Sequence, residues 1–142
     1  MKYLGIDFGE KRVGLALSDE DAFLAFPHDI YPNNPDLVYE VGKLIQEEGV
    51  AECVIGESVD QSGLDNKIMK AIKIFAEKLH HETGVKVHYQ KEFFTSLHAR
   101  EGKDKTQNNA RKTKIESAGP IDASAASLIL QRYLDRMKFL NK

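Results

Sequence analysis

Residues 1–18 confine what this chain can become. Tyr3, Leu4, Gly5 and Ile6 form an apolar run that leads straight into Asp7; Phe8, Gly9, Glu10, Lys11 and Arg12 follow, and a second apolar run spans Val13 to Leu17. A short continuous apolar run is what a strand buried on both faces presents. Holding an ionised carboxylate inside such a sheet costs several kcal/mol, so Asp7 belongs at the end of its strand, where a site can open. Gly9 and Gly14 permit the tight hairpin that Lys11 and Arg12 cap. A plainer reading is also open: an aspartate that merely starts a turn after a strand.

The rest of the chain supplies partners for that hairpin. Strands are predicted at 2–7, 12–18 and 24–31, the third with Pro27 marking an edge position or a bulge. Asn33-Asn34-Pro35-Asp36 starts a helix with Leu37, Val38, Val41, Leu44 and Ile45 as its apolar stripe, and Gly49 ends it. Cys53 to Ile55 reads as a short buried strand ending at Gly56, and Ser58 to Gly63 as a polar loop. A long helix follows, with Ile68, Ile72, Phe75, Ala76 and Leu79 on one face, and it stops before Gly84. Val85 to Tyr89 alternates as a fifth strand, Thr95 or Ser96 caps a short helix, and the last helix runs from about Asp122 to Leu140. Three strands in hairpin connection followed by strand–helix alternation imply an α/β fold, a five-stranded mixed sheet covered by helices on both faces. The order is similar to that of the ribonuclease H-like fold.

At 142 residues the chain is expected to form one domain, 1–142, with a core large enough to stand without staples. The single cysteine, Cys53, cannot form an internal disulfide and sits in an apolar run, which suits a small core residue in a reducing cytoplasm. No stretch approaches the roughly 18 apolar residues of a membrane span, and no signal-peptide pattern opens the chain. The net charge is −2, so affinity for nucleic acid has to come from a local patch. Segment 102–117 is nearly devoid of apolar residues and carries Lys103, Lys105, Arg111, Lys112 and Lys114. It is expected to be a mobile basic loop, either simply solvated or a phosphate clamp that orders on substrate.

Four acids fall at element ends that such a fold gathers. Asp7 ends the first strand, Glu57 follows the fourth, Glu92 follows the fifth and Asp122 begins the last helix. Phosphodiester cleavage at neutral pH needs a strong nucleophile and relief of developing charge. Two Mg²⁺ or Mn²⁺ ions about 3.5–4 Å apart supply both, and hard cations select carboxylate oxygens. Each acid has a plainer role open to it. Asp122 can be a first-turn acid favoured by the helix dipole, Glu57 a solvated loop residue, and Glu92 a partner of Lys91. Asp19, Asp21, Asp60 and Asp65 read as turn or cap residues. No Cys/His spacing suggests zinc.

The motifs resemble those of the YqgF family, the RuvC-like Holliday-junction-resolvase proteins. Residues 5–16 look like its opening motif, Val54-Ile55-Gly56 its second block, Glu92 with Thr95-Ser96 its third, and 121–126 with Ile129-Leu130 its fourth. The resemblance implies a ribonuclease H-like fold, a metal-dependent nuclease and a role in maturing the precursor of small-subunit (16S) ribosomal RNA. Resolution of branched DNA is the alternative that the family offers. It further implies metal ligation by Asp7, Glu92 and Asp122. Lys11 and Arg12, beside Asp7, are expected to contact phosphate at the same mouth, with Thr95 and the basic loop also on the nucleic acid, RNA ahead of branched DNA, in a monomer or homodimer. Two departures stand out: Lys91 and Phe93 replace an Asp and an Arg of the third block, and Glu57-Ser58 replaces Leu-Pro in the second. This paired gain and loss suggests that Glu57 replaces or supplements Glu92. A non-catalytic nucleic-acid-binding protein on the same fold fits the altered third block. An actin-like ATPase, whose phosphate loops use a similar turn, would need a second such domain.

Overall fold

The computed structural model describes residues 1–58, 67–92 and 120–140, with the side chains of 58, 92 and 120–124 outside that description. β1 (Lys2–Phe8) and β2 (Arg12–Ser18) form the expected antiparallel hairpin, Asp7 opposite Gly14 and Phe8 opposite Val13. The Gly9 N–H donates to the Arg12 carbonyl at 3.0 Å and closes the turn. A Cβ on Gly9 would lie 2.6 Å from that oxygen, so the turn accepts only glycine. β3 (Ala25–Pro32) pairs antiparallel with β2 at the edge of the sheet, whose order is β3-β2-β1-β4-β5. Both expectations for Pro27 are met: β3 is an edge strand, and the register shifts between Leu15 and Ala16, whose partners are Asp29 and Pro27.

α1 (Leu37–Glu48) ends at Gly49, whose φ of 68° is the left-handed conformation glycine adopts without strain. β4 (Val50–Ser58) then runs parallel to β1, α2 (Lys67–Thr83) crosses back, and β5 (Lys86–Glu92) runs parallel to β4. α3 (Pro120–Leu140) closes the described chain. β4 is longer at both ends than the apolar run around Cys53, so Glu57 and Ser58, expected in a loop, are strand residues. The remainder of that loop, the capped short helix and the basic segment 102–117 lie outside the described residues.

The two faces of the sheet are filled by different helices. Leu4, Ile6, Val13, Leu15, Cys53 and Ile55 pack against α1 and α2, where Val41, Leu44, Ile72, Phe75 and Leu79 meet them. Ala16 and Val54 pack on the opposite face against Ala126, Ile129, Leu130, Tyr133 and Leu134 of α3, with Tyr3 at the margin. The result is the expected mixed sheet with helices on both faces. Leu4, Ile6 and Ile55 are fully buried, each contributing about 1.5–3 kcal/mol by leaving water. Cys53 is buried too, and burial, with the Glu52 charge behind it, pushes its thiol up to about 12. It is an inert core residue, as its apolar surroundings imply. Among the described residues no helix is long and apolar enough to cross a membrane.

Candidate active site at the ends of the central strands

Asp7 is the last residue but one of β1 and is half-buried. Successive side chains of a strand point to opposite faces. Ile6 and Phe8 serve the α1/α2 side, with the Phe8 ring 5.2 Å from that of Phe75. Asp7 therefore projects from the α3 face, like Tyr3, whose ring lies 6.0 Å from that of Tyr133. Gly14, directly across the ladder, adds no side chain beside it.

α3 crosses that face against the direction of β1. A Cβ on Gly5 would lie 2.9 Å from the carbonyl oxygen of Ala126, while Tyr133, two turns later in α3, meets Tyr3, two residues earlier in β1. Position 122 precedes Ala126 by four residues, about 6 Å of helix. Asp7 lies two residues beyond Gly5, about 6.6 Å of strand. The backbone of Asp122, the third residue of α3, thus approaches the Asp7 end of β1. The missing side chain of Gly5 is what lets the helix lie this close.

The two glutamates sit differently. In the β4–β5 register Glu57 is the neighbour of Lys91, and Ser58 the neighbour of Glu92. Cys53 and Ile55 face α1 and α2, and the alternation carries Glu57 to that same side, away from Asp7. Tyr89 records its presence there: burial first, then the charges of Glu77 on α2 and of Glu57, push the Tyr89 hydroxyl pKa up. Two of the residues that depart from the usual second and third blocks, Glu57 and Lys91, are therefore neighbours across one strand pair. Opposite charges so placed support each other by about 0.2–1 kcal/mol. β5 ends at Glu92, beside the end of β4.

Lys11 and Arg12 are exposed at the hairpin. Arg12 is in step with Gly14 and Ala16, so it shares the α3 face with Asp7. Thr95, Lys103, Lys105, Arg111, Lys112 and Lys114 lie outside the described residues. Among the described residues no three His, Cys, Asp or Glu side chains converge as a metal site; the side chains of Glu92 and Asp122 are not part of that set. Asn33, read from sequence only as part of a helix start, proves to be bonded to the β1–β2 turn: its Nδ2 donates to the Gly9 carbonyl at 2.7 Å. A lone Asn in a polar linker carries no mark of such a contact.

A hairpin-first sheet of this order, with an acid at the end of its central strand and a final helix laid across it, defines a ribonuclease H-like protein. Solved structures agree: the Thermus thermophilus RuvC in complex with Holliday junction substrate superposes with a TM-score of 0.58 at 16% identity, covering 96% of each chain. The fowlpox virus Holliday junction resolvase gives 0.57 at 15% identity, over 96% of this chain and 99% of that one. The chain belongs to the RuvX family, also called YqgF, whose model, described as "RuvX: Holliday junction resolvase", matches residues 1–136. Among its relatives, proteins named "Putative pre-16S rRNA nuclease" share 32% identity in Anaplasma marginale, over 96% of this chain and 86% of that protein. The one in Maridesulfovibrio salexigens shares 33%, over 96% and 99%.

Proposed function

We propose that this protein is a divalent-metal-dependent nuclease that hydrolyses phosphodiester bonds in structured nucleic acid, and that its substrate is the precursor of 16S ribosomal RNA in the cytoplasm. The observation that carries the reading is the antiparallel crossing of α3 over Gly5, which brings the start of that helix to the Asp7 end of β1. Family membership and the name borne by the relatives support the same activity.

Asp7, Glu92 and Asp122 would hold Mg²⁺ or Mn²⁺, since carboxylate oxygens are the donors such hard ions select. Glu57, on the other face of the sheet, would instead balance Lys91. When bound, the ions supply an activated water for in-line attack and relieve the charge that develops on the phosphate. Arg12 and Lys11 would hold the phosphate backbone over the acids, fixing register without reading sequence. A monomer carries all of these groups.

The test is incubation of the purified protein with Mg²⁺ or Mn²⁺ and either a 16S precursor fragment or a four-way DNA junction, with Asp7→Asn as control. Cleavage of the RNA that Asp7→Asn loses supports the proposal. Cleavage of the junction alone makes the protein a resolvase. Salt-sensitive binding without cleavage, unchanged in Asp7→Asn, makes it a binding protein.

A further inference from the structure

We propose that Asn33 is a positioning residue that latches the β1–β2 hairpin, and thereby fixes where Arg12 stands relative to Asp7 when nucleic acid is bound. The inference rests on the nuclease reading above and adds to it a residue that touches neither acid nor substrate. Three hydrogen bonds carry it. The Asn33 Nδ2 donates to the Gly9 carbonyl at 2.7 Å. The Asn33 backbone N–H donates to the Lys11 carbonyl at 2.9 Å, and the Gly9 N–H donates to the Arg12 carbonyl at 3.0 Å. Gly9, Lys11 and Arg12 are thus all held by one short network, two residues beyond Asp7.

The network reaches further than the turn. Pro32, the last residue of β3, pairs with Arg12, and Asn33 follows it directly. Next in the chain, the Asn34 Oδ1 accepts from the Asp36 N–H at 3.0 Å, and the Asn34 carbonyl accepts from the Leu37 N–H at 3.0 Å, where α1 begins. The hairpin tip is therefore tied through Asn33 to the start of α1, whose Leu37 and Val41 are buried in the core. The three-residue turn Gly9–Lys11, and with it the exposed end of β2 at Arg12, would otherwise be free to shift relative to the rest of the sheet. Tethered, it presents Arg12 from the same face as Asp7 without an ordering cost at each binding event.

The experiment is a double-mutant cycle between Asn33→Ala and Arg12→Ala, read on cleavage of a 16S precursor fragment across a range of salt concentrations, with thermal unfolding run in parallel. Asn33→Ala is expected to raise KM about fivefold to tenfold, to leave kcat within about twofold, and to flatten the salt dependence by about 0.7–0.9, the increment of one phosphate contact. In the Arg12→Ala background the same change is expected to add little, because the contact it positions is already gone. If Asn33→Ala fails to fold, Asn33→Leu keeps the approximate shape and removes the Nδ2 donor without adding a charge.

An unchanged KM and salt slope, or a full-sized effect persisting in the Arg12→Ala background, overturns the latch while leaving the nuclease standing. A wild-type protein that neither cleaves nor binds RNA or junction DNA overturns the nuclease reading, and the latch with it.

Discussion

Gly5 and Leu130 stand so close that a single added carbon would collide: a Cβ on Gly5 would lie 2.7 Å from the Cβ of Leu130. Side chains do not approach to that distance, so the helix has to retreat if the glycine is replaced. Gly5→Ala is expected to destabilise the protein by about 1–3 kcal/mol, measured by urea unfolding. Its cleavage rate should fall further than the loss of folded protein explains, by about 10²-fold, because a displacement of about 1 Å at the start of α3 moves Asp122 from Asp7. A variant as active as wild type would show that this crossing does not govern the site.

Asp7→Asn keeps the size of the side chain and removes its charge at the end of β1. If Asp7 holds a metal as proposed, losing that charged ligand removes several kcal/mol of transition-state stabilisation, or about 10³-fold in kcat. Circular dichroism should be unchanged, since Asn keeps the size and shape of the side chain at this half-buried strand end. Isothermal titration with Mn²⁺ gives a second readout, expected to show weakened binding.

The two glutamates are separable. Glu92→Gln is expected to lose cleavage by about 10²-fold or more, whereas Glu57→Gln should stay within about threefold of wild type and cost less than about 1 kcal/mol of stability. Steady-state kinetics of the pair decides between them. Equal losses would mean that both acids serve the reaction.

Alkaline stability should fall as pH rises. The Cys53 thiol is raised from 9.0 to about 12 in the folded protein, so below pH 9 both states keep the proton and the contribution is intact. Above that the unfolded chain loses its proton first, and stability declines up to about pH 12. Tyr3, Tyr31, Tyr89 and Tyr133 are also raised, each chiefly by burial, and act in the same direction above pH 10. Urea unfolding of Cys53→Ala across this range should give a shallower decline between pH 9 and 10, where the tyrosines contribute least.

Local physics made much of the fold legible in sequence. The β1–β2 hairpin, the α1 stripe with Gly49 behind it, and the edge position of Pro27 each follow from a few adjacent residues. Face assignments in β4 do not. Cys53, Val54 and Ile55 are all fully buried because the strand is covered on both sides, so no alternation tells which neighbour Glu57 follows. Its face becomes clear only once Cys53 and Ile55 are seen packed against α1 and α2, with Tyr89 on the same side. Glu52 was hidden for a related reason. It reads as a polar residue outside the strand, yet its Oε1 lies 2.7 Å from Nε2 of His88, whose ring stacks on Tyr133 at 5.3 Å. A contact between residues 36 positions apart leaves no local trace. Asp7 could be singled out because an acid directly after a buried run is costly anywhere except at an opening.

β3 bounds the sheet with two prolines among its eight residues and with an irregular register beside Pro27. Neither proline has an amide proton to offer, so a strand arriving from another molecule would find gaps in the ladder it tried to extend. Phe26 is 51% exposed on this strand, and an uninterrupted border there would invite copies to stack edge to edge. The broken border disfavours strand addition on this side of the sheet, so the exposed Phe26 sits on an edge that a second chain would find hard to extend.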